Sequence, residues 1–443
     1  MYSEREADRV NRVHFGKGRQ VRRLNLFGRQ VWFALVLCAT VVGVSREALA
    51  EDAAIVPVSL AYLRASLDTY RHIQEEGGWR AIPAGPALHI ADAGPAVKRL
   101  KERLHATGDL TVPVGDDDRF DAFVAEAVKN FQERHGLDPD SVVGPKTREA
   151  LNVTVDERIR QIETNIERLK SLPIAADKRT IVVNVAAFEL TVYERGALTF
   201  ASPVIVGRTS RKTPVFSSAI TRIIVNPYWT VPRMIAVKDI LPKIKQDPSY
   251  LTAQSIRVYR SADDAHIEVA PKSVDWATLN SHNFPYQLVQ DPGPANALGK
   301  VKFFVPNHFD VYLHDTPARE LFRKDQRTFS SGCIRVDKAL ALAEYLLRRD
   351  GLGSFRAMAD ALERRETRQI DLKTPAPLHI VYLTAWADKH GHTHFRNDVY
   401  NLDAPVVAAL QPERDTIHDV AMAHDTVPVP ACAASPPPDF TRR

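Results

Sequence analysis

The hydrophobic period of the chain changes at a single proline, and a chain that does this is neither all helix nor all sheet. Over residues 153–172, Ile159, Ile162, Ile166 and Leu169 recur three or four positions apart among charged residues, the spacing of one buried helix face. Pro173 closes that pattern, because proline inside a helix removes a hydrogen bond and clashes with the preceding turn. From Thr180 the period falls to two. Ile181-Val-Val-Asn-Val and Glu189-Leu-Thr-Val-Tyr alternate, Glu194-Arg-Gly-Ala supplies a hairpin turn, and residues 198–207 supply a partner strand. The expectation is an α+β protein whose helices come first.

Further strands are expected at 219–225, 301–305 and 310–314, and a helix after Asp337 from Leu340, Leu342, Ala343, Leu346 and Leu347. Residues 233–300 interrupt the strands with helix formers and prolines, Met234-Ile-Ala-Val-Lys-Asp-Ile-Leu-Pro and 273–279 among them. They are read as a helical capping insertion, since so long an insertion in a β-domain usually covers or binds. A last hairpin is read from 378–387 and 393–400. Upstream, Leu60, Leu63, Leu67 and Tyr70 mark a helical segment within 51–90. Three short helices follow within 91–152, carried by Val97, Leu100 and Leu104, by Phe123, Ala127, Val128 and Phe131, and by the stretch from Gly144-Pro145 to Leu151. Asp116-Asp117-Asp118 lacks the spacing and terminal Glu of a calcium loop and reads as a solvated turn.

The formal net charge of +5 suggests a polyanion partner until it is located. Residues 1–50 hold nine Lys/Arg and four Asp/Glu, which leaves 50 basic and 50 acidic residues in the remainder. A neutral body has no concentrated basic face for nucleic acid. The charge belongs to a leader, in which Arg19, Arg22, Arg23 and Arg29 precede an apolar run over 31–44 and then Ala48-Leu49-Ala50. That order is basic, apolar, then small, as in a secretory signal peptide. Three readings fit it: a cleaved signal, an uncleaved anchor attaching the protein to the inner membrane through 31–44, or a buried helix. The first two place the body in the periplasm. Of the cysteines, Cys38 lies in the leader and Cys432 in a Pro-rich tail, which leaves Cys333 as a lone thiol that is either reactive or inert.

The chemistry is concentrated in Val311-Tyr-Leu-His-Asp-Thr-Pro and Ser330-Ser-Gly-Cys-Ile-Arg-Val. A thiol is a good nucleophile only as thiolate, so it needs a base or a positive field. His314 can be that base if the chain folds Cys333 onto an adjacent strand. Gly332 permits a tight turn whose amides face a developing oxyanion, and Arg335 adds positive charge able to hold a carboxylate. A buried Cys and a satisfied core His explain the same residues without chemistry.

The two stretches resemble the catalytic motif of the L,D-transpeptidases (YkuD type), in the form found in a larger subgroup from Gram-negative envelopes. Asn226-Pro-Tyr-Trp-Thr-Val-Pro, Pro294-Ala-Asn-Ala-Leu-Gly-Lys-Val-Lys-Phe, and the stretch from Tyr382-Leu-Thr-Ala-Trp to Phe395-Arg-Asn-Asp-Val-Tyr extend the resemblance. Gly94-Pro-Ala-Val-Lys-Arg-Leu, Ala127-Val-Lys-Asn-Phe-Gln and Val143-Gly-Pro-Lys-Thr resemble a peptidoglycan-binding type 1 domain, with a helical spacer lacking a ligand as the alternative. The resulting organisation is a leader (1–50), an N-terminal helical segment (51–90), a wall-binding module (91–152), a linker helix (153–178), a β-sandwich-like catalytic domain (179–402, capped by 233–300) and a disordered tail (403–443).

The resemblance implies that Cys333 attacks the diaminopimelate carbonyl of a donor tetrapeptide stem. D-Ala leaves, and the acyl group passes to the side-chain amine of a second stem, giving a 3→3 cross-link. Cys333, His314 and Gly332 are then the catalytic candidates, and Tyr312, Asp315, Ser331, Arg335 and Trp229 the substrate-binding ones. Ser331 stands where the family has a second histidine, whose role does not carry over. Trp229, beside Pro227 and Pro232, reads equally as packing. Peptidoglycan stems and glycan are the expected partners, and carbapenems are expected to acylate Cys333. No cofactor is implied and no metal spacing is present; His390, His392 and His394 sit in an expected turn. Transfer to water (an L,D-carboxypeptidase), attachment of a lipoprotein, and a non-catalytic wall-binding scaffold are the alternatives.

Overall fold

The computed structural model describes residues 55–113, 117–172, 179–262, 265–388 and 390–410. The apolar run at 31–44, Cys38, Pro173 and the tail beyond 410 with Cys432 lie outside these residues. Among the described residues no helix is long and apolar enough to cross a membrane.

Five helices come first among the described residues: α1 (Ile55–Glu75), α2 (Pro95–Ala106), α3 (Ala122–Arg134), α4 (Pro145–Asn152) and α5 (Val155–Lys170). Their starts have local causes. Prolines open α2 and α4, where the missing N–H costs nothing. The Asp121 carboxylate accepts the Val124 N–H at 2.9 Å before α3, and Thr154 and Glu157 form a reciprocal capping box on α5. Helices α2 to α4 enclose Leu100, Leu104, Phe131, Val143 and Leu151, each such side chain stabilising by roughly 1.5–3 kcal/mol. Phe123, read as part of the buried face of α3, is 65% exposed; Val124 takes the inward position at 1%.

The strands are β1 (Thr180–Asn184), β2 (Glu189–Glu194), β3 (Ala197–Gly207), β4 (Phe216–Val225), β5 (Trp229–Thr230), β6 (Ile256–Ala262), β7 (Ala265–Val269), β8 (Tyr286–Gln290), β9 (Val301–Phe304), β10 (Leu313–His314), β11 (Thr328–Ser330), β12 (Ile334–Val336), β13 (Arg368–Val381), β14 (Ala385–Ala387) and β15 (Thr393–Phe395). Nine of them make one sheet in the order β11-β3-β12-β10-β9-β4-β13-β1-β2, and β2 also pairs with β3. The sheet therefore closes on itself, so that the two layers expected of a sandwich are opposite walls of one closed sheet. Its interior is filled by Ile181, Leu190, Val204, Ile223, Phe303, Leu313 and Ile334, joined by Leu342 and Leu346 of α9 (Ala339–Asp350) and Met358 of α10 (Leu352–Arg364).

Three expectations are corrected. The insertion at 233–300 is not helical alone. It holds the short α6 (Arg233–Ile235), α7 (Leu241–Gln246) and α8 (Tyr250–Ala253), together with β6, β7 and β8, which join β5 just upstream in a four-stranded sheet β5-β8-β6-β7 around Val258, Trp276 and Leu288. The last hairpin is only β14 and β15, because residues 378–381 continue β13, which pairs with β1 and β4. The chain from 403 is not a tail at its start: α11 (Asp403–Leu410) follows, and the Asp403 carboxylate accepts hydrogen bonds from Arg168 at 2.5 Å and Thr384 at 2.8 Å.

Candidate active site

Three very short strands position the candidate residues. In β10, Leu313 is opposite Ile334 of β12 and Phe303 of β9, while His314 is opposite Arg335 and Lys302. Leu313, Ile334 and Phe303 are wholly buried in the closed sheet. Side chains alternate along a strand, so Tyr312, His314, Lys302 and Arg335 leave by the other face. The Ile334 N–H donates to the Tyr312 carbonyl at 3.0 Å, which sets Cys333 beside Tyr312.

The turn carrying Cys333 is held from below. Gly332 adopts φ 119°, a conformation that favours glycine. The Ser330 hydroxyl accepts the Gly332 N–H at 3.1 Å and donates to the Cys333 carbonyl at 2.5 Å. The Thr213 hydroxyl donates to the Gly332 carbonyl and accepts the Gly207 N–H, both at 2.8 Å, and the Tyr400 hydroxyl bridges Thr213 and Gly207. The Gly332 amide is thus taken by Ser330, and the role of this residue is conformational rather than that of an oxyanion donor.

The face of these strands away from the core is cationic and aromatic. The Lys302 ammonium lies 3.8 Å from the centre of the Tyr312 ring, whose centroid is 5.6 Å from that of His314. His314 is buried, and its Nδ1 is 2.5 Å from the Asp315 carbonyl. A carbonyl only accepts, so Nδ1 carries the proton and Nε2 is left as a lone pair. Burial first, then the Arg335 and Lys302 charges, hold its pKa down to about 3. Cys333 is half-buried. Burial pushes its thiol up, opposed by hydrogen bonds from the Tyr312 backbone and hydroxyl and by the charges of Lys302 and Arg335. The Sγ–H points at the Asp310 carbonyl, 3.8 Å away; among the described residues no hydrogen bond joins Cys333 to His314. Both groups are neutral in this arrangement, the thiol because its pKa is raised and the imidazole because its pKa is lowered.

The remaining candidates divide. Burial pushes the Tyr312 hydroxyl well up, and the hydroxyl meets Trp229 as well as Cys333, so Trp229 joins the site through Tyr312. Arg335 is half-buried, and its Nε–H is enclosed without a partner. Ser331 accepts a hydrogen bond from Arg211 at 2.9 Å, and Arg211 pairs with Asp239 of the insertion; this serine ties the turn to the cap. Asp315 is corrected from a substrate ligand to a positioning residue. Its oxygens already accept the Lys300 N–H at 2.8 Å and the Arg319 guanidinium at 2.9 Å, and it packs on Gly299, where a Cβ would fall 2.4 Å from Oδ2.

Lys302, Arg211, Thr213 and Ser330 were not singled out in the sequence. Lys302 has a signal, an isolated cation in Val301-Lys-Phe-Phe, but only the pairing of β9 with β10 gives it meaning. Among the described residues no three His, Cys, Asp or Glu side chains are grouped to hold a metal ion. His392 and His394 instead face Asp388 at 3.4 and 3.1 Å, and His394 stacks on Trp386.

Residues 178–362 match the family described as the YkuD L,D-transpeptidase catalytic domain, and residues 93–151 match the "Putative peptidoglycan binding domain". A curated protein of Haemophilus influenzae, "Putative L,D-transpeptidase", is 36% identical over 247 residues, 56% of this chain and 49% of that protein. The chain thus spans about half the length of that relative. Solved structures similar to it include an L,D-transpeptidase of Stackebrandtia nassauensis (13% identity, 67% of this chain and 97% of the other, TM-score 0.26). A second is a residue 123–326 fragment of an L,D-transpeptidase from Xylanimonas cellulosilytica (14% identity, 68% and 99%, TM-score 0.21).

Proposed function

We propose, for a chain that carries an L,D-transpeptidase catalytic domain and a peptidoglycan-binding domain, that the protein is a peptidoglycan L,D-transpeptidase with Cys333 as nucleophile and His314 as base and then acid. The observation that carries the reading is the strand register that aligns Lys302, Tyr312, His314 and Arg335 on one face with Cys333 beside them. The export-type leader adds the periplasm as the compartment.

The neutral pair sets the order of events. A donor carbonyl entering between Cys333 and Arg335 displaces the thiol from the Asp310 carbonyl, and the Sγ proton passes to His314 Nε2, directly or through one water. Sulfur bonds to the diaminopimelate carbonyl carbon, and the electron pair of the C=O moves to oxygen. Collapse breaks the C–N bond, and His314 returns its proton to the leaving D-Ala amine. A thioester remains on Cys333. The side-chain amine of a second stem then adds, loses a proton to His314 and expels the sulfur, which recovers that proton; the product is a 3→3 cross-link. Lys302 and the Tyr312 hydroxyl stabilise the sulfur while it is anionic, and the Arg335 guanidinium holds a stem carboxylate.

Intact-mass measurement after exposure to a carbapenem tests the nucleophile: one adduct is expected on the native protein and none on Cys333→Ala. With tetrapeptide muropeptides, 3→3 dimers are the expected product. Tripeptides alone would mean transfer to water, lipoprotein adducts an attachment enzyme, and an unacylated native thiol a scaffold.

A further inference from the structure

A crevice of ≈ 680 Å³ opens where the helical module meets α5 and the closed sheet, and none of Lys302, Tyr312, His314, Cys333 or Arg335 lines it. Its size is that of a small-ligand site. The module contributes His135, α5 contributes Arg158, and the catalytic domain contributes Glu189, Arg327, Lys338 and Arg396.

Two of these side chains are buried with a polar atom left over. His135, 7% exposed, is stacked on Phe131 with ring centres 3.7 Å apart and donates from Nδ1 to the Phe131 carbonyl at 2.7 Å. Its Nε2 is then a lone pair with no partner. Arg158, 6% exposed, donates to Gln161 at 2.8 Å and to the Ala150 carbonyl at 3.1 Å, yet its Nε–H has no partner. A buried polar atom without a partner is costly unless water or a ligand satisfies it. In the same wall Arg327 and Arg396 flank the half-buried Glu189 carboxylate; Arg327 also donates to the Val204, Lys324 and Phe188 carbonyls, and Lys338, exposed at the edge, donates to the Ala201 carbonyl at 3.2 Å. The crevice is thus lined by five cations (Lys146, Arg158, Arg327, Lys338 and Arg396) against three carboxylates (Glu149, Glu189 and Asp325), and two residues of its wall, His135 and Arg158, keep buried polar atoms without a partner.

We propose that this crevice is a second binding site, for a carboxylate-bearing peptide stem of peptidoglycan clamped between the wall-binding module and the catalytic domain. The arginines and Lys338 take the carboxylate. His135 Nε2 and Glu189 take amide N–H groups, which a peptide has and a chloride or phosphate ion lacks. The inference rests on the reading that module and catalytic domain serve the same polymer, and it gives that polymer a grip apart from the reacting stem.

Hydrogen–deuterium exchange on full-length Cys333→Ala protein, titrated with a soluble disaccharide tetrapeptide, tests it. Protection is expected over 135–150 and 186–189, with affinity for this region about tenfold weaker in Lys338→Glu and in Arg327→Gln, the loss of one charged hydrogen bond. Thermal melts identify a variant that has merely unfolded, and the other then decides. Uncharged chitotetraose should give no protection there. Equal protection by chitotetraose, protection confined to the Cys333 face, or unchanged affinity in both folded variants would overturn the proposal. Carbapenem acylation of the native protein is read separately: its failure removes the transpeptidase reading and leaves the crevice to be judged by protection alone.

Discussion

At His314 burial and charge act in the same direction. The ring is enclosed, Arg335 and Lys302 are close, and the folded-state pKa sits at about 3 against an ordinary 6.5. Between those values the unfolded chain binds a proton that the folded chain refuses. Stability from this residue is therefore complete above pH 6.5 and drains as pH falls toward 3, on the order of 1.4 kcal/mol per pH unit within that window. The buried His135 shifts the same way, so the native slope alone does not identify His314; the difference from a variant does. Thermal melts from pH 7 to pH 4 should show a steadily falling melting temperature, with a visibly shallower fall in His314→Gln. Parallel curves would mean that His314 titrates normally. The same depression keeps the imidazole unprotonated across the whole range and makes it a weaker base than an ordinary histidine.

Among the elements, the turn at 330–333 depends most on one backbone conformation. A Cβ at Gly332 would meet nothing closer than the Lys212 carbonyl at 3.8 Å, so the obstacle to alanine is φ 119° and not space. Gly332→Ala should cost about 1–3 kcal/mol. If the turn relaxes to escape that strain, Cys333 moves relative to β10. Carbapenem acylation at least about tenfold slower, with a melting temperature lower by only a few degrees, is the expected pair of results; unchanged acylation would show that the turn tolerates a side chain. Elements that carry their own signal were legible in the sequence: the apolar period of α5, the prolines of α2 and α4, the alternation of β1 and β2. The two-residue β10 and three-residue β12 have no period to read, and they were found only because the residues in them are chemically unusual. Strand β13 escaped over most of its length because Pro375 and Pro377 interrupt it, at a place where its register against β4 shifts. Much of the insertion's sheet escaped because β8 pairs with β6 across 23 intervening residues and with β5 across 55, contacts that local pattern does not encode. Lys302 is a site residue by virtue of pairing alone.

At the scale of the molecule, the helical module is joined to the catalytic domain by buried polar contacts, and these decide whether the crevice is a fixed site. Arg134 ends α3 and pairs with Asp109, Nε to Oδ1 at 2.6 Å, with side chains 8% and 4% exposed. It also donates to the Thr393 carbonyl of β15 at 3.0 Å, while Arg396 returns a hydrogen bond to the Arg134 carbonyl at 2.8 Å. The helices α1 and α5 close the junction by packing Leu63, Tyr70, Ile162 and Ile166 with Ala385 and Phe395 of the hairpin. Removing one charge from such a pair leaves the other buried and uncompensated, at a cost of about 3–5 kcal/mol, whereas replacing both with apolar residues is often close to neutral. Urea unfolding should therefore place Arg134→Met and Asp109→Leu well below the native protein, and Arg134→Met/Asp109→Leu much nearer to it than the sum of the single losses. If the junction couples the module to the catalytic domain as a single cooperative unit, the native protein unfolds in a single transition, and Arg134→Met splits it so that the module melts first. A native protein that already unfolds in two steps would mean that the contacts at Thr393 and Arg396 do not couple the two domains. The crevice would then be a gap between independent bodies, without the fixed geometry a clamped stem requires.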